Sequence, residues 1–339
     1  MRPLRLKMPT IFITVAPVTI LLSLICSIIF GSKSIAVNVI WDAIFHFDSL
    51  NIDHQIVRFS RIPRAIGALL IGGFLAISGS IMQGMTRNYL ASPSIMGVSD
   101  GSVLMITCCM IFFPGLPNLT MVLFSLIGSS LAAVIVYLLA SSIPDGMRPV
   151  KMAIIGTIIG AFLSSISTAL ATYFQTSQNI SFWYNARIDQ INPELLKTIL
   201  PFAFIGMVIA FGISKQMTLL SLGRDVAIGL GQNDLLVKSL AILSVVLLTG
   251  CAVAMAGNIG FVGLIIPHIS RFLIGVEYSW TIPCAGLIGG LFLVIADMVS
   301  RFMNYPFETP ISVVTATIGV PFFLYLIKKR GGSPHAGAS

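Results

Sequence analysis

Arg61 and Arg64 stand three residues apart in "RIPRAIGALL" (61–70), with Pro63 between them and a long apolar run behind them. Arg58 precedes them at the same spacing. A guanidinium is a planar fork that meets a carboxylate through two parallel N–H bonds. Such groups at the mouth of an apolar segment either orient the chain or grip an anionic partner outside it. Far along the chain, Asp297 and Arg301 lie four residues apart, on one face of a helix, where each can neutralise the other. Asp297 is the acid clearly inside an apolar stretch. A carboxylate there is a candidate proton relay, and the competing reading is a structural ion pair near the surface, which the nearby Arg301 favours.

Other chemistry is missing. His46, His54, His268 and His335 are scattered, and no H-E-x-x-H, paired carboxylates or G-x-S-x-G occur. "GLGQN" (229–233) has two glycines but no preceding strand, so it is no nucleotide loop. Cys26, Cys108, Cys109, Cys251 and Cys284 all fall in apolar segments without a C-x-x-C, and read as small packing residues. No ligand cluster for a bare metal ion is found.

The elements that position these residues follow from composition. Of 339 residues, 56% are hydrophobic and 9% charged, with mean hydropathy +0.97. Soluble domains carry about 25% charged residues, so the chain reads as an all-α polytopic membrane protein. Long runs without Asp, Glu, Lys or Arg cover 8–32, 65–86, 101–144, 152–186, 198–214, 239–270, 278–296 and 309–327. A spanning helix needs roughly 20 apolar residues. The run 101–144 therefore holds two spans joined by "PGLPN" (114–118), and 239–270 holds two of which one is short or irregular. The expectation is ten helices in one domain over 1–330, followed by a disordered tail, 331–339. "MRPLRLK" precedes an apolar run too long for a signal peptide, with no A-x-A site, and reads as part of a retained first span.

With both termini in the cytoplasm, thirteen Lys and Arg residues fall inside and seven outside, in accord with the positive-inside rule. The net charge of +8 thus reflects topology, and nothing suggests nucleic acid. Arg58, Arg61 and Arg64 fall outside, against the trend, which tilts their reading toward an external grip. Residues 31–60 and 173–194 are expected as outside loops, and 214–238 as a cytoplasmic segment. There Val226, Ala227 and Leu230 share one helical face, Gly231 ends that helix, and Asn233 or Asp234 caps the next. "LAISG" (75–79) and "VAMAG" (253–257) form a faint repeat, each expected near mid-span of the second and seventh helices, which run oppositely. "GNIGFVGLIIPHISRFLIG" (257–275), rich in glycine with a proline, is more irregular than helix packing requires.

Three stretches, "RIPRAIGALLIGGFLAISGSIMQGMTRNYLASPSIMGVSDGS" (61–102), 257–275 and "ADMVSRFMNYPFETPISVVTATIGVPFFLYLI" (296–327), resemble the FecCD-type permeases. These are the membrane subunits of ATP-driven importers for ferric siderophores, haem and cobalamin. The resemblance implies a type II importer permease fold in the cell membrane and no enzymatic activity of its own. It implies a ferric siderophore as cargo, with a hydroxamate as the expected class and haem or cobalamin as alternatives. A proton-coupled carrier using Asp297 is the rival class. Implied partners are a second permease subunit (identical or paralogous), two ATPase subunits holding ATP and Mg, an extracytoplasmic binding protein and membrane lipid. The chain itself would carry no cofactor and no metal. By resemblance, Arg61, Arg64 and Arg301 bind glutamates of the binding protein. Arg224, Asp225, Ala227, Leu230 and Gly231 lie in the segment that couples to the ATPase. Asn88 and Leu90 belong to the cytoplasmic gate, where Tyr89 replaces the family's proline, and "WYNARID" (183–189) departs from the W-x-x-G-S of siderophore permeases.

Overall fold

The computed structural model describes residues 3–31, 33–94, 96–115, 117–144, 149–176, 188–304 and 307–331. In chain order the helices are α1 (Pro3–Ile29), α2 (Val37–Phe45), α3 (Ile52–Ile56), α4 (Ile62–Thr86), α5 (Val98–Phe112), α6 (Asn118–Ser142) and α7 (Pro149–Tyr173). There follow α8 (Pro193–Gly212), α9 (Ser214–Leu222), α10 (Arg224–Gly229), α11 (Asp234–Ala256), α12 (Val262–Ile274), α13 (Tyr278–Phe302) and α14 (Ile311–Gly331). Among the described residues, six are long and apolar enough to cross a membrane, and four shorter apolar helices (in α1, α5, α12 and α14) bring the number to the expected ten. The chain is a multi-pass membrane protein. The expected pair in 239–270 is α11 with the 13-residue α12, which contains Pro267. Most of "WYNARID" and all of the tail after Gly331 lie outside the described residues.

The most buried span is α4, packed against α11, α12 and α13. Its sequence explains this. In lipid, helices gain little from hiding apolar surface, so close association needs small residues that let backbones approach. Gly72 of α4 faces Gly289 of α13, Gly79 faces Gly263 of α12, and Gly101 of α5 faces Gly128 of α6. A Cβ on Gly72, Gly79, Gly101, Gly128 or Gly289 would collide with the partner's carbonyl, and one on Gly263 with the carbonyl of Leu75.

Below α4 the chain departs from expectation. Residues 31–60 are not an open loop. They fold into α2 and α3 over a small core of Ile35, Ile40, Ala43 and Val57, because the apolar residues of α2 recur on one face. His54 is buried, its Nδ1 accepting the Asp48 N–H at 3.1 Å. Residues Val57–Arg61 form a single π-helical turn leading directly into α4. Pro63 has no N–H to give, and its ring would press on the carbonyl of Phe59 in a regular helix. The widened turn accommodates both problems, and such turns often mark functional sites.

The repeat expectation also needs correction. "LAISG" lies mid-helix in α4, but "VAMAG" ends α11, where Gly257 takes the positive φ of 73° at the C-cap. Five residues Gly257–Phe261 then run irregularly before α12 begins, with Phe261 itself at φ 68°. The glycine in that motif stops a helix rather than packing one.

Gly72→Val should lower the melting temperature of the detergent-purified protein, at a cost of about 1–3 kcal/mol or more from overpacking. Gly212→Ala, where an added Cβ meets nothing within 4 Å, should leave it unchanged. Equal behaviour of the two variants would contradict the close α4–α13 approach.

Candidate functional site

The three arginines do meet at one end of the molecule, but their side chains turn inward. Relative exposures are 5% for Arg61, 8% for Arg64 and 3% for Arg301. The last turn of α1 explains two of them. A helix C-terminus leaves carbonyls without intrahelical partners and carries the negative end of the helix dipole, so it attracts cations. Arg61 Nη1 donates to the carbonyls of Ile28 (2.8 Å) and Ile29 (3.0 Å), and Nη2 to that of Lys33. Arg301 Nη1 donates to Ser27 O (2.8 Å) and Phe30 O (3.1 Å), with Nη2 reaching the Ser27 hydroxyl at 3.1 Å. The π turn before α4 and the end of α13 thus cap a third element, α1.

Arg64 is held by acids. Its Nε and Nη2 donate to Asp297 Oδ1 at 3.0 and 2.8 Å, and its Nη1 to Glu308 Oε2 and Oε1 at 2.8 and 3.0 Å. Asp297 is 1% exposed and is also paired with Arg301, as the four-residue spacing suggested. Sequence reasoning missed two things here: the α1 carbonyls and Glu308. The signal for Glu308 was its place in "PFETP", only seven residues beyond Arg301. Arg58 differs from its neighbours. It is exposed and stacks over Phe47, its guanidinium carbon 4.5 Å from the ring centre. At this end three arginines face two carboxylates, a balance of +1.

At the opposite end of α4, about 37 Å away for 25 residues at ~1.5 Å rise, lies the loop expected as a gate. Arg87 ends the helix in the left-handed region at φ 50°. Asn88 then closes a tight turn, its Oδ1 accepting the Leu90 N–H at 3.0 Å and its carbonyl the Ala91 N–H at 3.1 Å. Tyr89 lies flat beneath Arg271 of α12, 4.5 Å from guanidinium carbon to ring centre. Arg271 Nη2 donates to Gln83 Oε1, and Gln83 Nε2 donates to the Leu264 carbonyl at 3.2 Å. The residue that replaces proline therefore anchors the loop to α12 by a cation–π contact.

The 214–238 segment forms α9, α10 and the start of α11. Gly231 takes φ 81° just after α10, and Asn233 caps α11 through the Leu236 N–H at 3.1 Å. One expectation fails. Ala227 does not share a face with Leu230: Ala227 is 0% exposed, whereas Val226 (47%), Ile228 (49%) and Leu230 (64%) face outward. The helix is six residues long and its middle residue is the one pressed onto the body of the chain, so the exposed apolar knob lies around it. Asp225 and Gly231 are exposed. The segment is tied to the gate end of α4. The Tyr278 N–H donates to Thr218 Oγ1 at 2.9 Å, Met217 and Tyr278 pack beside Gly84, and Gly223 lies beside the Arg87 guanidinium.

A second acid within an apolar helix, Asp100 in the first turn of α5, lies against Gly160 of α7. Reading only the uncharged run from 101 onward had passed over it.

A model of the FecCD transport family matches residues 19–329. The iron-uptake system permease protein FeuB of Bacillus subtilis (strain 168) is 55% identical over 322 residues, spanning 95% of this chain and 96% of that protein. The iron(3+)-hydroxamate import system permease protein FhuB of the same organism is 46% identical over 304 residues, 90% of this chain and 79% of that one. A solved structure, described as the inward-facing conformation of a transporter assigned to the metal-chelate ABC type, superposes with a TM-score of 0.79 at 29% identity. It covers 95% of this chain and 99% of its own.

Removing one partner of a buried ion pair strands the other charge, at about 3–5 kcal/mol. Asp297→Asn leaves Arg64 and Arg301 facing each other, and should lower the melting temperature far more than Glu308→Gln. An Asp297→Asn protein as stable as wild type would remove Asp297 from the centre of this network.

Proposed function

This chain belongs to the FecCD transport family, and on that premise we propose how it works as the permease subunit of an ATP-driven importer of a ferric siderophore. The arginine end faces outward and the gate end faces the cytoplasm, with both termini inside, as the charge distribution favours. The observation that carries the reading is the tie between α9, which leads through Gly223 into the exposed α10, and the gate end of α4. A segment that projects from the membrane with Val226, Ile228 and Leu230 exposed suits a groove on an ATPase subunit. ATP-driven closure of two such subunits would press on α9 and α10, and through Thr218, Met217 and Gly223 on α13 and α4. Asn88 and Leu90, at the end of α4, then open or close the path.

Docking belongs at the other end. A binding protein with carboxylates on its two lobes meets a rim whose balance is +1, with Arg58 exposed beside it and Lys33 paired with Asp53. Arg61, Arg64 and Arg301 are the groups such carboxylates would engage. The second permease subunit packs along α7, the least buried of the long spans. Exposed Ser and Thr hydroxyls on α7 donate hydrogen bonds to carbonyls four residues back, as Thr157 does to Ala153 and Ser165 to Ala161. This leaves them satisfied within the helix and suits small side chains to a close contact with another subunit.

Iron crosses as its chelate. The hydroxamate class rests on the FhuB relative, and the wider iron reading on FeuB. A proton carrier working through Asp297 has less support, because both oxygens of that carboxylate are engaged by arginines.

In proteoliposomes holding the assembled complex and its binding protein, labelled ferric hydroxamate siderophore should accumulate only with ATP. Accumulation driven by a proton gradient alone would refute the importer reading. Uptake of a catecholate chelate in place of the hydroxamate would refute the chelator class.

Leu230→Asp should bury an unpaired charge at the ATPase contact and cut uptake about tenfold or more while ATP hydrolysis persists. Ala227→Asp is a poorer probe, because it places the charge inside the chain. Full coupling in the Leu230→Asp complex would move the ATPase contact elsewhere.

A further inference from the structure

The Arg64 guanidinium has two edges with different fates. The Nε and Nη2 edge is bonded to Asp297, whose side chain is 1% exposed and shared with Arg301. Nothing from outside can displace that partner without dismantling the junction of α1, α4 and α13. The Nη1 group points instead at Glu308, whose side chain is 29% exposed. Glu308 sits on the short linker between α13 and α14, and that linker is held by its own backbone. The Thr309 N–H donates to Ser300 O at 3.1 Å and the Phe307 N–H to Asn304 O at 2.8 Å. The carboxylate is therefore presented to Arg64 from between two residues, Phe307 and Thr309, whose backbones are hydrogen-bonded, while its solvent side stays open.

We propose that Glu308 is an internal stand-in for the binding protein's carboxylate, occupying Arg64 Nη1 until docking displaces it. This rests on the docking role given to Arg64 above. A carboxylate in the partly exposed seat already matches the chemistry that docking requires, both oxygens within 3.0 Å of one Nη1. Exchange of one carboxylate for another leaves the number of ion pairs unchanged. Glu308 is partly exposed where it stands, so swinging into water costs it little, whereas an empty seat would leave the buried Arg64 Nη1 without an acceptor. The seat is thus filled in the resting transporter without being locked. Release of Glu308 also removes the side-chain tie between Arg64 and the linker, three residues before α14 begins at Ile311. Docking at the outer face acquires in this way a direct handle on a span that packs against α12 and α13.

The stand-in role and a merely structural one predict opposite signs. Glu308→Gln keeps the shape of the side chain, removes its charge and raises the local balance from +1 to +2. If Glu308 competes with the docking protein, the variant should bind it more tightly, by about two- to fivefold for a pair of this exposure. The affinity should also fall more steeply with salt. The measurement is the affinity of the binding protein for the assembled complex in lipid nanodiscs, at low and physiological ionic strength. Wild type, Glu308→Gln and the Arg61→Glu, Arg64→Glu double variant are compared. Tighter docking in Glu308→Gln together with lost docking in the double variant supports the proposal. Unchanged or weaker docking in Glu308→Gln, with docking still lost in the double variant, overturns the stand-in and leaves the docking site in place. Wild-type docking by the double variant overturns the docking site itself, and the stand-in with it.

Discussion

The carboxylate of Asp297 lies between the guanidinium groups of Arg64 and Arg301, and three spans depend on it. Arg301 is steered by Asp297 toward the free carbonyls of α1, and Arg64 is steered so that one edge stays inside and the other reaches Glu308. Without that anion the two cations would repel across a region with little water, where Coulomb energies are large. The same charge therefore stabilises the junction and fixes which part of Arg64 is available to a partner. A surface carboxylate could not do both, because solvent would screen it.

The rest of the fold transmits what that junction sets. The glycine contacts of α4 with α12 and α13 leave no side chain between the backbones, so these helices move together or not at all. A packed helix is a stiff rod. An event at Arg64 and an event at Arg87 are then coupled through roughly seven turns of one element, and α9 joins that element at the gate end. Among the described residues, the regular ladder is interrupted at the π turn before Pro63, in the irregular stretch Gly257–Phe261 and in the loop after Arg87.

Much of this was legible in the sequence for a physical reason. Spans announce themselves through uninterrupted apolar runs, and the pair Asp297 and Arg301 through helical spacing, because both signals are local. The family resemblance supplied the grouping of Arg61, Arg64 and Arg301, and the structure brings them to one end. What was not legible depends on contacts between distant residues. Nothing local in "RIPR" says that Arg64 will find Asp297, 233 positions on, or that Arg61 will cap α1. Orientation on short helices failed as well. At Ala227 the apolar period could be read, but in a six-residue helix one position decides which face is inside. "VAMAG" failed because a glycine that ends a helix and one that packs a helix are the same letter until φ is known.

The cap on α1 has a consequence for the order in which the molecule is made. Ser27 and Phe30 leave the ribosome early, while Arg301 lies 274 and 271 residues behind them. At about 5–20 residues per second, the interval is of the order of half a minute. During that time the first span stands in the bilayer with its terminal carbonyls served by water at the membrane surface, and its companion α13 does not yet exist. Arg61 arrives first and makes a provisional clasp, which the ninth span later completes. For most of the chain's synthesis Arg61 is thus the guanidinium cap that α1 has, and the junction closes only when Arg301 has followed.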